Sequence, residues 1–503
     1  MSILKSINKK QSNKKGFTIV ELTVVIVVIG ILAGIAVIGY GSWRQSLAIK
    51  AVKSDLEIVK TSMASASNFE ETGFPTSVPS SFTPGDNVEV TYISGDAAKY
   101  CIEGKSKTID TILWHVEGKI GSATVIEGAC PFVDGWKDLA SSNTGSCAVS
   151  ASNSVYCWGA SVATPTLLAR GDIPVNATIS AITAGTNHYC VVANEWAYCW
   201  GTNSDGRLGD GTVVAKTTPK AVLRGVIPAA KKLADISAGS NHTCTLTTDS
   251  LVYCWGYGAY GQLGRNSIAN SSTPIAIVQG GMPAGAAVSA ISAGGYNTCA
   301  IVSGGWVYCW GTNNDGEAGN GTNSQVNFPT AVSSGDIQGS STIATVSVGS
   351  NHSCVLSNTG LAYCWGAGFS GRLGNGDSYD SNVPVVVAQG SEPFTKLSIG
   401  VGDTCAVTAS GGGYCWGVNG NGQLGGGSSY ASSPYVNTPI YVLNGSKPST
   451  VGFTAIKPGD THVCALASSK KIYCWGSAVD GKLGNGESTG NKSTPVATIE
   501  VFS

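Results

Sequence analysis

The order of hydrophobic and polar positions divides the chain into an apolar segment, an amphipathic segment and a long series of short strand-like runs. From Phe17 to Tyr40 the only acidic or basic side chain is Glu21, and a stretch of this length is sufficient to cross a membrane as a helix. Apolar residues then recur at helical spacing from Leu47 to Met63, so the helix is predicted to continue beyond the membrane. Gly73-Phe74-Pro75 is expected to end it, because the residue before a proline disfavours helical geometry.

Four strand-like runs separated by turn residues follow this helix, and they read NVEVTYI, AAKYCI, TILWHV and SATVIE. Together with the helix they predict a small α+β domain over residues 73–135. Cys101 and Cys130 are the only cysteines of this domain. They are either a disulfide, which would close a loop of about 30 residues, or two buried thiols.

The rest of the chain, residues 136–503, repeats one pattern seven times. Each repeat has a short apolar strand, a glycine turn, a cysteine and, nine or ten positions later, the cysteine of a Tyr-Cys-Trp-Gly sequence. The tryptophans are 42 to 59 residues apart, and a period near fifty residues is typical of propeller blades or solenoid coils. The cysteine pairs are Cys147 with Cys157, Cys190 with Cys199, Cys244 with Cys254, Cys299 with Cys309, Cys354 with Cys364, Cys405 with Cys415, and Cys464 with Cys474.

Within a repeat, the spacing places the two cysteines opposite each other on a hairpin. Pairing Cys244 with Cys254 leaves a three-residue tip, and pairing Cys190 with Cys199 leaves the two-residue tip Asn194-Glu195. Directly opposed side chains on antiparallel strands are close enough for a disulfide. A zinc site is the weaker interpretation, because the chain has no Cys-x-x-Cys sequence and no histidine at zinc-ligand spacing.

Composition and charge restrict the partners and the compartment. The 503 residues carry a net charge of −1 and only 12% of them are charged, whereas a nucleic-acid or anionic-membrane binder needs clustered positive charge. Nucleic acid is therefore not an expected partner. The sixteen cysteines are an even number, and their regular spacing indicates an oxidising compartment outside the cytoplasm.

The N-terminus, in which a lysine-rich stretch ending in KKG precedes FTIVEL, resembles the processing signal of type IV pilins and pseudopilins. The resemblance implies that prepilin peptidase removes the leader, residues 1–16, by cutting between Gly16 and Phe17, and that the new amine is methylated. It also implies that Glu21 neutralises the N-terminus of a neighbouring subunit during assembly. A signal anchor with Glu21 at the membrane interface and a cleaved secretory signal are the alternatives.

The same resemblance assigns the parts of the N-terminal region. Residues 17–72 are expected to form the pilin helix, with the membrane span at 17–40, and residues 73–135 the pilin head. The pair Cys101 and Cys130 resembles the disulfide that holds the C-terminal loop of many pilins. The chain is thus expected to cross the membrane once before assembly and to become part of an extracellular pilus afterwards.

The repeats resemble the regulator of chromosome condensation family in the order of ISAGSNHTCTL, LVYCWGYGAYGQLG and TPIAIV. The resemblance implies a seven-bladed β-propeller over residues 136–503. Six repeats carry a Gly-x-Leu-Gly frame, or Gly-x-Ala-Gly in one case, after the Trp-Gly, and the first repeat lacks it. The first repeat is also 13 residues shorter than the 55-residue period, so the first blade is expected either to borrow a strand from the C-terminal VATIEVFS or to remain incomplete.

Candidate chemistry in the repeats favours structure over catalysis. His188, His242, His352 and His462 each precede a cysteine by two residues, so they follow the repeat and favour structural hydrogen bonds over a metal site. The Asn-Ser-Asp-Gly sequence at 203–206 and the Asn-Asn-Asp-Gly sequence at 313–316 favour tight turns over calcium loops. No catalytic motif and no paired carboxylates occur, so neither an enzyme nor a bound cofactor is expected.

Tyrosines in the loops are the remaining candidates for ligand binding. Tyr257 and Tyr260 lie in the third repeat, and Tyr430 and Tyr435 lie in the long insertion of the sixth. Tyrosine among serine, glycine and asparagine is typical of adaptable recognition surfaces, although ordinary solvated loops have the same composition.

These features together predict a minor, tip-located type IV pilin whose propeller adheres to a surface protein or glycan. The expected partners are other pilin subunits, prepilin peptidase, the membrane before assembly, and the unidentified ligand. One alternative is a pseudopilin that primes assembly of a pilus or secretion system, with the propeller docking an assembly partner. A regulatory role, as in propellers that act on small GTPases or inhibit enzymes, is less compatible with export.

Overall fold

A computed structural model of the chain describes residues 44–64, 78–80, 82–96, 99–108, 113–119, 122–127, 135–339, 341–430 and 432–499. The chain divides into two compact units, residues 1–129 and 130–503. None of the helices in the described ranges combines the length and the apolar character that a membrane crossing requires. The predicted leader, the predicted span at 17–40 and the processing and assembly residues Gly16, Phe17 and Glu21 lie outside the described residues.

The first unit packs one helix against one antiparallel sheet. Helix α1 covers residues 44–64, and the sheet contains β1 (Val88–Asp96), β2 (Lys99–Ser106), β3 (Leu113–Lys119) and β4 (Ser122–Glu127) in that order. Strands are thus present in all four predicted runs. The buried side of the helix is formed by residues at helical spacing, Val52, Leu56, Val59 and Met63.

Close packing of helix on sheet in this unit depends on a glycine. A Cβ atom at Gly104 would lie 2.9 Å from Cγ of Leu56, so only a glycine lets the helix approach the strand this closely. The predicted pairing of Cys101 with Cys130 is not described, because Cys130 and the side chain of Cys101 are outside the described residues.

The second unit is a propeller of seven four-stranded antiparallel sheets, each built from four consecutive strands that we call a, b, c and d. Strand a of blades 1 to 7 spans Trp136–Ser141, Ile179–Ala184, Leu233–Ala238, Val288–Gly294, Ile343–Val348, Phe394–Ile399 and Phe453–Pro458. Strand b spans Gly145–Ser150, His188–Ala193, His242–Thr247, Asn297–Val302, His352–Ser357, Asp403–Thr408 and His462–Ala467. Strand c spans Val155–Gly159, Trp196–Gly201, Val252–Gly256, Trp306–Gly311, Ala362–Gly366, Gly413–Val418 and Ile472–Ser477. Strand d spans Val162–Leu167, Lys216–Ala221, Ser271–Ala276, Val326–Ala331, Ser381–Val386, Tyr435–Tyr441 and Asn491–Ala497.

The b–c hairpin of every blade carries the predicted disulfide. The register places the two cysteines directly opposite each other in all seven hairpins, with Cα atoms 4.0 to 4.1 Å apart. The predicted two-residue tip Asn194-Glu195 is also present, and both residues adopt the positive φ values that short hairpin turns require. The seven predicted propeller disulfides are confirmed.

Blade 1 is complete without a borrowed strand, and the expectation that it would take one from the C-terminus or stay incomplete was wrong. Its four strands all come from residues 136–167, while Asn491–Ala497 from the C-terminal segment forms strand d of blade 7. The first repeat is short because its c–d connection consists of Ala160 and Ser161 alone. The missing residues therefore belong to a loop, not to a strand.

Strand a of each blade lines a narrow central channel with a cavity of about 170 Å³. Hydroxyl groups on these strands accept hydrogen bonds from the backbone N–H of the next blade. The pairs are Thr183 with Ala238, Ser237 with Ala293, Ser292 with Val348, and Ser347 with Ile399. The ring closes between blades 7 and 1 by side-chain contacts, which include a 2.9 Å bond between His462 and Ser146.

Candidate functional site

One face of the propeller carries the a–b turns and the long c–d loops, and we call it the loop face. In an antiparallel a-b-c-d sheet these two connections leave from the same end, and the b–c and d–a connections leave from the opposite end. Tyr257 in a c–d loop contacts Tyr296 in an a–b turn, with ring centroids 5.8 Å apart, so the two kinds of connection do lie on the same face. The c–d loops of blades 2 to 7 span residues 202–215, 257–270, 312–325, 367–380, 419–434 and 478–490.

Each of these loops seals the seam between its own blade and the next one. The residue between glycine and leucine in the Gly-x-Leu-Gly frame offers its backbone carbonyl to the indole N–H of the next blade's tryptophan, at 2.8 to 3.0 Å. The six donor and acceptor pairs are Trp255 with Arg207, Trp310 with Gln262, Trp365 with Glu317, Trp416 with Arg372, Trp475 with Gln423, and Trp158 with Lys482. The leucine or alanine of each frame is buried in the seam.

The glycines of the frame are required by backbone conformation and by contact. Gly206 and Gly209 have φ values of +79° and +70°, and the equivalent glycines of the other five loops are also positive. A Cβ at Gly209 would lie 2.7 Å from Nε1 of Trp255, so a side chain there would push the tryptophan away from its carbonyl partner.

The four histidines make hydrogen bonds across the same seams. Nε2 lies 2.8 to 2.9 Å from a hydroxyl on strand b of the next blade in each case, with the pairs His188 and Thr243, His242 and Thr298, His352 and Thr404, and His462 and Ser146. Thr243, Thr298 and Thr404 donate their single proton to a loop carbonyl, so the histidine Nε2 must be the protonated nitrogen. The histidines therefore bond within the protein, as predicted.

Burial keeps these histidines neutral. Loss of solvent lowers the pKa of all four to about 3, and the next cause is a nearby cation, Arg207 for His188 and His242, Arg372 for His352, and Lys482 for His462. Nδ1 of each has no hydrogen-bond partner of good geometry among the described residues. A charged imidazole at these positions would therefore be strongly destabilising.

Asp403 occupies the histidine position in blade 6, and its environment differs. The corresponding residue in blade 7 is Val463, which has no hydroxyl, so no described side chain across the seam bonds to Asp403. Neither carboxylate oxygen has a hydrogen bond of good geometry among the described residues, although the backbone N–H groups of Gly402 and Asp403 lie close by. Burial raises the pKa of Asp403 well above its usual range, with the nearby Asp460 adding to this shift and Arg372 opposing it.

Asparagine side chains hold the c–d loops in shape. Asn203 accepts from the backbone N–H of Leu208 at 3.0 Å and donates to the carbonyls of Thr212 and Val214, and Asn313 and Asn419 make the same kind of bonds in their loops. The asparagines of the two calcium-like sequences are thus used within turns. Within the described ranges, no three His, Cys, Asp or Glu side chains lie close enough together to hold a metal ion.

The structure places the four candidate tyrosines at two separate positions. Tyr257 and Tyr260 form an aromatic cluster with Tyr296, with ring centroids 5.0 to 5.9 Å apart. Tyr430 packs against the core of blade 6, and Tyr435 on strand d of that blade is exposed. Blades 3 and 6 are three blades apart in the ring, so the two pairs do not form one site.

Other exposed apolar side chains on the loop face were missed by the sequence analysis. Phe369 and Tyr379 in the c–d loop of blade 5 are 48% and 80% exposed, and the guanidinium of Arg372 lies 3.7 Å from the Phe369 ring centroid. Val213 and Val214 in blade 2 are each 60% exposed. Large apolar residues inside loops that are otherwise polar were the available signal, because a solvated loop has no need of them.

Comparisons with known proteins give two family matches. A family model described as RCC1-like domain matches residues 138–451, and a model described as prokaryotic N-terminal methylation motif matches residues 11–37. The second range contains Gly16, Phe17 and Glu21.

The chain is also similar in sequence to known proteins and in fold to solved structures. The chain is 29% identical over 310 residues to the ultraviolet-B receptor UVR8 of Arabidopsis thaliana, which is 61% of this chain and 66% of that protein. It is 31% identical over 294 residues to the E3 ubiquitin-protein ligase HERC2 of Homo sapiens, which is 58% of this chain but 6% of that protein. The matches thus span just under two thirds of UVR8 and a small part of HERC2.

Among solved structures, human WBSCR16 aligns with a TM-score of 0.59 and 21% identity over 68% of this chain and 86% of that chain. Prp20p from Saccharomyces cerevisiae aligns with a TM-score of 0.56 and 19% identity over 65% of this chain and 80% of that chain. At these identities the likeness concerns the fold alone.

Proposed function

The chain belongs to the RCC1-like domain family, and because it also carries an N-terminal methylation motif, we propose that it is a minor type IV pilin whose propeller recognises a protein or glycan outside the cell. The proposed position is the pilus tip, and the proposed role is binding, not catalysis. The proposal follows from a single observation, which is that a pilin processing motif and a propeller with seven disulfides are parts of one polypeptide.

The disulfides support the extracellular location. Each joins cysteines nine or ten residues apart, so each contributes about 2.5 to 3 kcal/mol by restricting the unfolded chain. Such bonds persist in oxidising surroundings and are reduced in the cytoplasm. A pilin motif delivers the chain to the surroundings in which this propeller is most stable.

The size of the propeller supports the tip position. A compact body of this many residues has a radius of gyration of about 21 Å, which is difficult to accommodate at every subunit of a thin shaft. Exposed aromatic side chains on the loop face, among them Tyr260, Phe369 and Tyr379, supply the apolar area that recognition of a protein or a sugar ring requires.

Processing gives the first test. We expect N-terminal sequencing of protein sheared from the cell surface to begin at a methylated Phe17. The filament fraction should contain the protein, and the Glu21→Ala variant should be absent from filaments while it remains in the membrane fraction. An intact lysine-rich leader on surface material, or normal incorporation of Glu21→Ala, would contradict the pilin assignment.

Adherence gives the second test. A variant with Tyr260, Phe369 and Tyr379 changed to serine should reduce adherence of cells at least fivefold, because these side chains are exposed. The change removes the contact between Tyr260 and Tyr296 but none of the carbonyl–tryptophan hydrogen bonds of the seams. Trp306→Ser is the matched control, since Trp306 is 67% exposed but lies at the b–c hairpin on the opposite face. Adherence is measured in a deletion strain that expresses each variant, with surface abundance and melting temperature checked in parallel.

The same strain separates adhesion from priming. If deletion of the whole protein removes pili and residues 1–135 restore them without restoring adherence, the chain has both roles. If residues 1–135 restore adherence as well, the propeller is not the adhesive part and the proposed function is wrong.

A further inference from the structure

The seam between blades 1 and 2 differs from the other six, because blade 1 supplies no c–d loop to seal it. Its c–d connection is Ala160 and Ser161, which reach no farther than the end of their own strands. Trp200 stands at the position of the six loop-bound tryptophans, yet no described residue accepts a hydrogen bond from its Nε1. The indole N–H therefore lacks the carbonyl that its six equivalents have.

A cavity of about 250 Å³ occupies the place of the missing loop. Its walls include Leu167, Leu168, Tyr189 and Trp200, and no charged side chain is present among its described lining residues. Tyr189 stacks on Trp200 with ring centroids 5.7 Å apart, and its hydroxyl bonds to Ser142 at 2.7 Å, so the aromatic wall is held in place.

A disulfide forms part of the same cavity. Cys147 and Cys157 line it, and Cys157 is half-buried, whereas the thirteen other propeller cysteines are buried. The missing loop explains the difference, since the loop covers the equivalent cysteine in the other blades. The exposure of this one disulfide therefore reports whether the cavity is filled.

The size and chemistry of the cavity indicate what can fill it. Its volume is below the roughly 300 to 1,000 Å³ of most small-molecule sites, but it can accept an aliphatic side chain with part of its backbone. In six seams of this same molecule the occupant is a glycine-rich turn with a buried leucine or alanine and a carbonyl bonded to tryptophan. The chain's own six loops are already used in their seams.

We propose that this cavity is a docking site for a protruding Gly-x-Leu-Gly turn of a partner protein. The partner's leucine packs against Leu168, which corresponds to Val222 beside Leu208 in the next seam. The carbonyl of the residue before that leucine accepts the hydrogen bond from Nε1 of Trp200. The inference rests on the proposed function in one respect. If the propeller is outside the cell, the partner is a neighbouring pilin or a surface protein that the propeller meets there.

A peptide of the chain's own sequence is the probe. Residues 203–211, NSDGRLGDG, are synthesised as a lactam-bridged loop and titrated against the full chain in detergent, with tryptophan fluorescence as the signal. We expect saturable binding, at least tenfold weaker binding when the leucine of the peptide is replaced by aspartate, and at least fivefold weaker binding to Trp200→Phe. Bound peptide should also slow reduction of the disulfide between Cys147 and Cys157 at least fivefold, as measured by alkylation and mass spectrometry.

The matched control is a variant in which the chain itself supplies a loop to fill the seam between blades 1 and 2. Residues 202–215 are inserted in place of Ala160 and Ser161, which supplies blade 1 with the loop of blade 2. This variant should bind no peptide and should protect Cys157 by itself. Equal binding to the filled variant, or no saturable binding to the natural chain, would overturn the inference.

The outcomes for the docking site and for adhesion are separable. If the filled variant loses peptide binding but cells expressing it still adhere, the result supports the docking site and shows that adhesion uses another part of the loop face. If the natural chain binds no peptide while the serine variant of the loop face loses adherence, the docking inference fails and the proposed function stands.

Discussion

Acidification from pH 7.5 to pH 5.0 should lower the melting temperature of the propeller by about 10 °C with the disulfides intact. The four seam histidines have a pKa of about 3 in the folded protein and 6.5 when exposed, so the unfolded chain binds more protons between these two values. The stabilisation that depends on neutral histidines is therefore fully present above pH 6.5 and decreases as the pH falls toward 3. Each histidine should account for about 2 kcal/mol at pH 5.0.

Two variants isolate this effect because they change the proton balance in opposite directions. Asparagine is a suitable replacement for His188, since Asn297 occupies the same position in blade 4. The His188→Asn variant should show about a quarter less of the histidine-dependent loss of stability on acidification. Because burial raises the pKa of Asp403, its neutral carboxyl stabilises the folded protein at low pH, and this stabilisation is lost as the pH rises and the carboxyl ionises. Asp403→Asn should therefore gain stability relative to the natural chain as the pH increases.

Thermal unfolding of the natural chain and both variants across pH 4.5 to 8 measures these differences. Parallel curves for the natural chain and His188→Asn would show that this histidine does not titrate on unfolding and would contradict its buried, neutral state. A gap between the natural chain and Asp403→Asn that does not change with pH would contradict the raised pKa of that carboxyl.

Gly209→Ala should cost about 3 kcal/mol of the free energy of unfolding. The backbone at Gly209 has φ of +70°, which an L-residue adopts at a cost of about 1 to 2 kcal/mol. The added Cβ would also lie 2.7 Å from Nε1 of Trp255 and 2.9 Å from Cγ1 of Val222, so the seam between blades 2 and 3 must open or the loop must shift. Overpacking of this kind typically costs a further 1 to 3 kcal/mol.

Gly285→Ala is the matched control for that substitution. Its φ of +72° is nearly the same, but no described heavy atom lies within 4 Å of the position of its Cβ. Urea unfolding should show a loss of about 1 kcal/mol for Gly285→Ala and roughly three times as much for Gly209→Ala. Equal losses would mean that the contact between loop and tryptophan contributes nothing to the stability of the seam.

The seams explain why part of the site was predictable and part was not. The histidines, the tryptophans and the Gly-x-Leu-Gly frames recur with the repeat, so their structural role could be inferred from recurrence alone. The partners of these residues could not be inferred in this way, because each contact joins residues from two blades, such as His188 with Thr243 or Trp255 with Arg207. The exposed Phe369 and Tyr379 carry no repeat signature, and only the folded loop shows that they point into solvent.

The sequence by itself determined the pilin-like signal, the number of blades and the seven disulfide pairs. These depend on local order, since cysteines nine or ten positions apart on a hairpin meet wherever the hairpin folds. Only the tertiary structure decided that blade 1 is complete, how the ring closes between His462 and Ser146, and which seam is left open at Trp200. Those features depend on which blade lies beside which, and no local pattern specifies contacts between residues that meet only when the ring is closed.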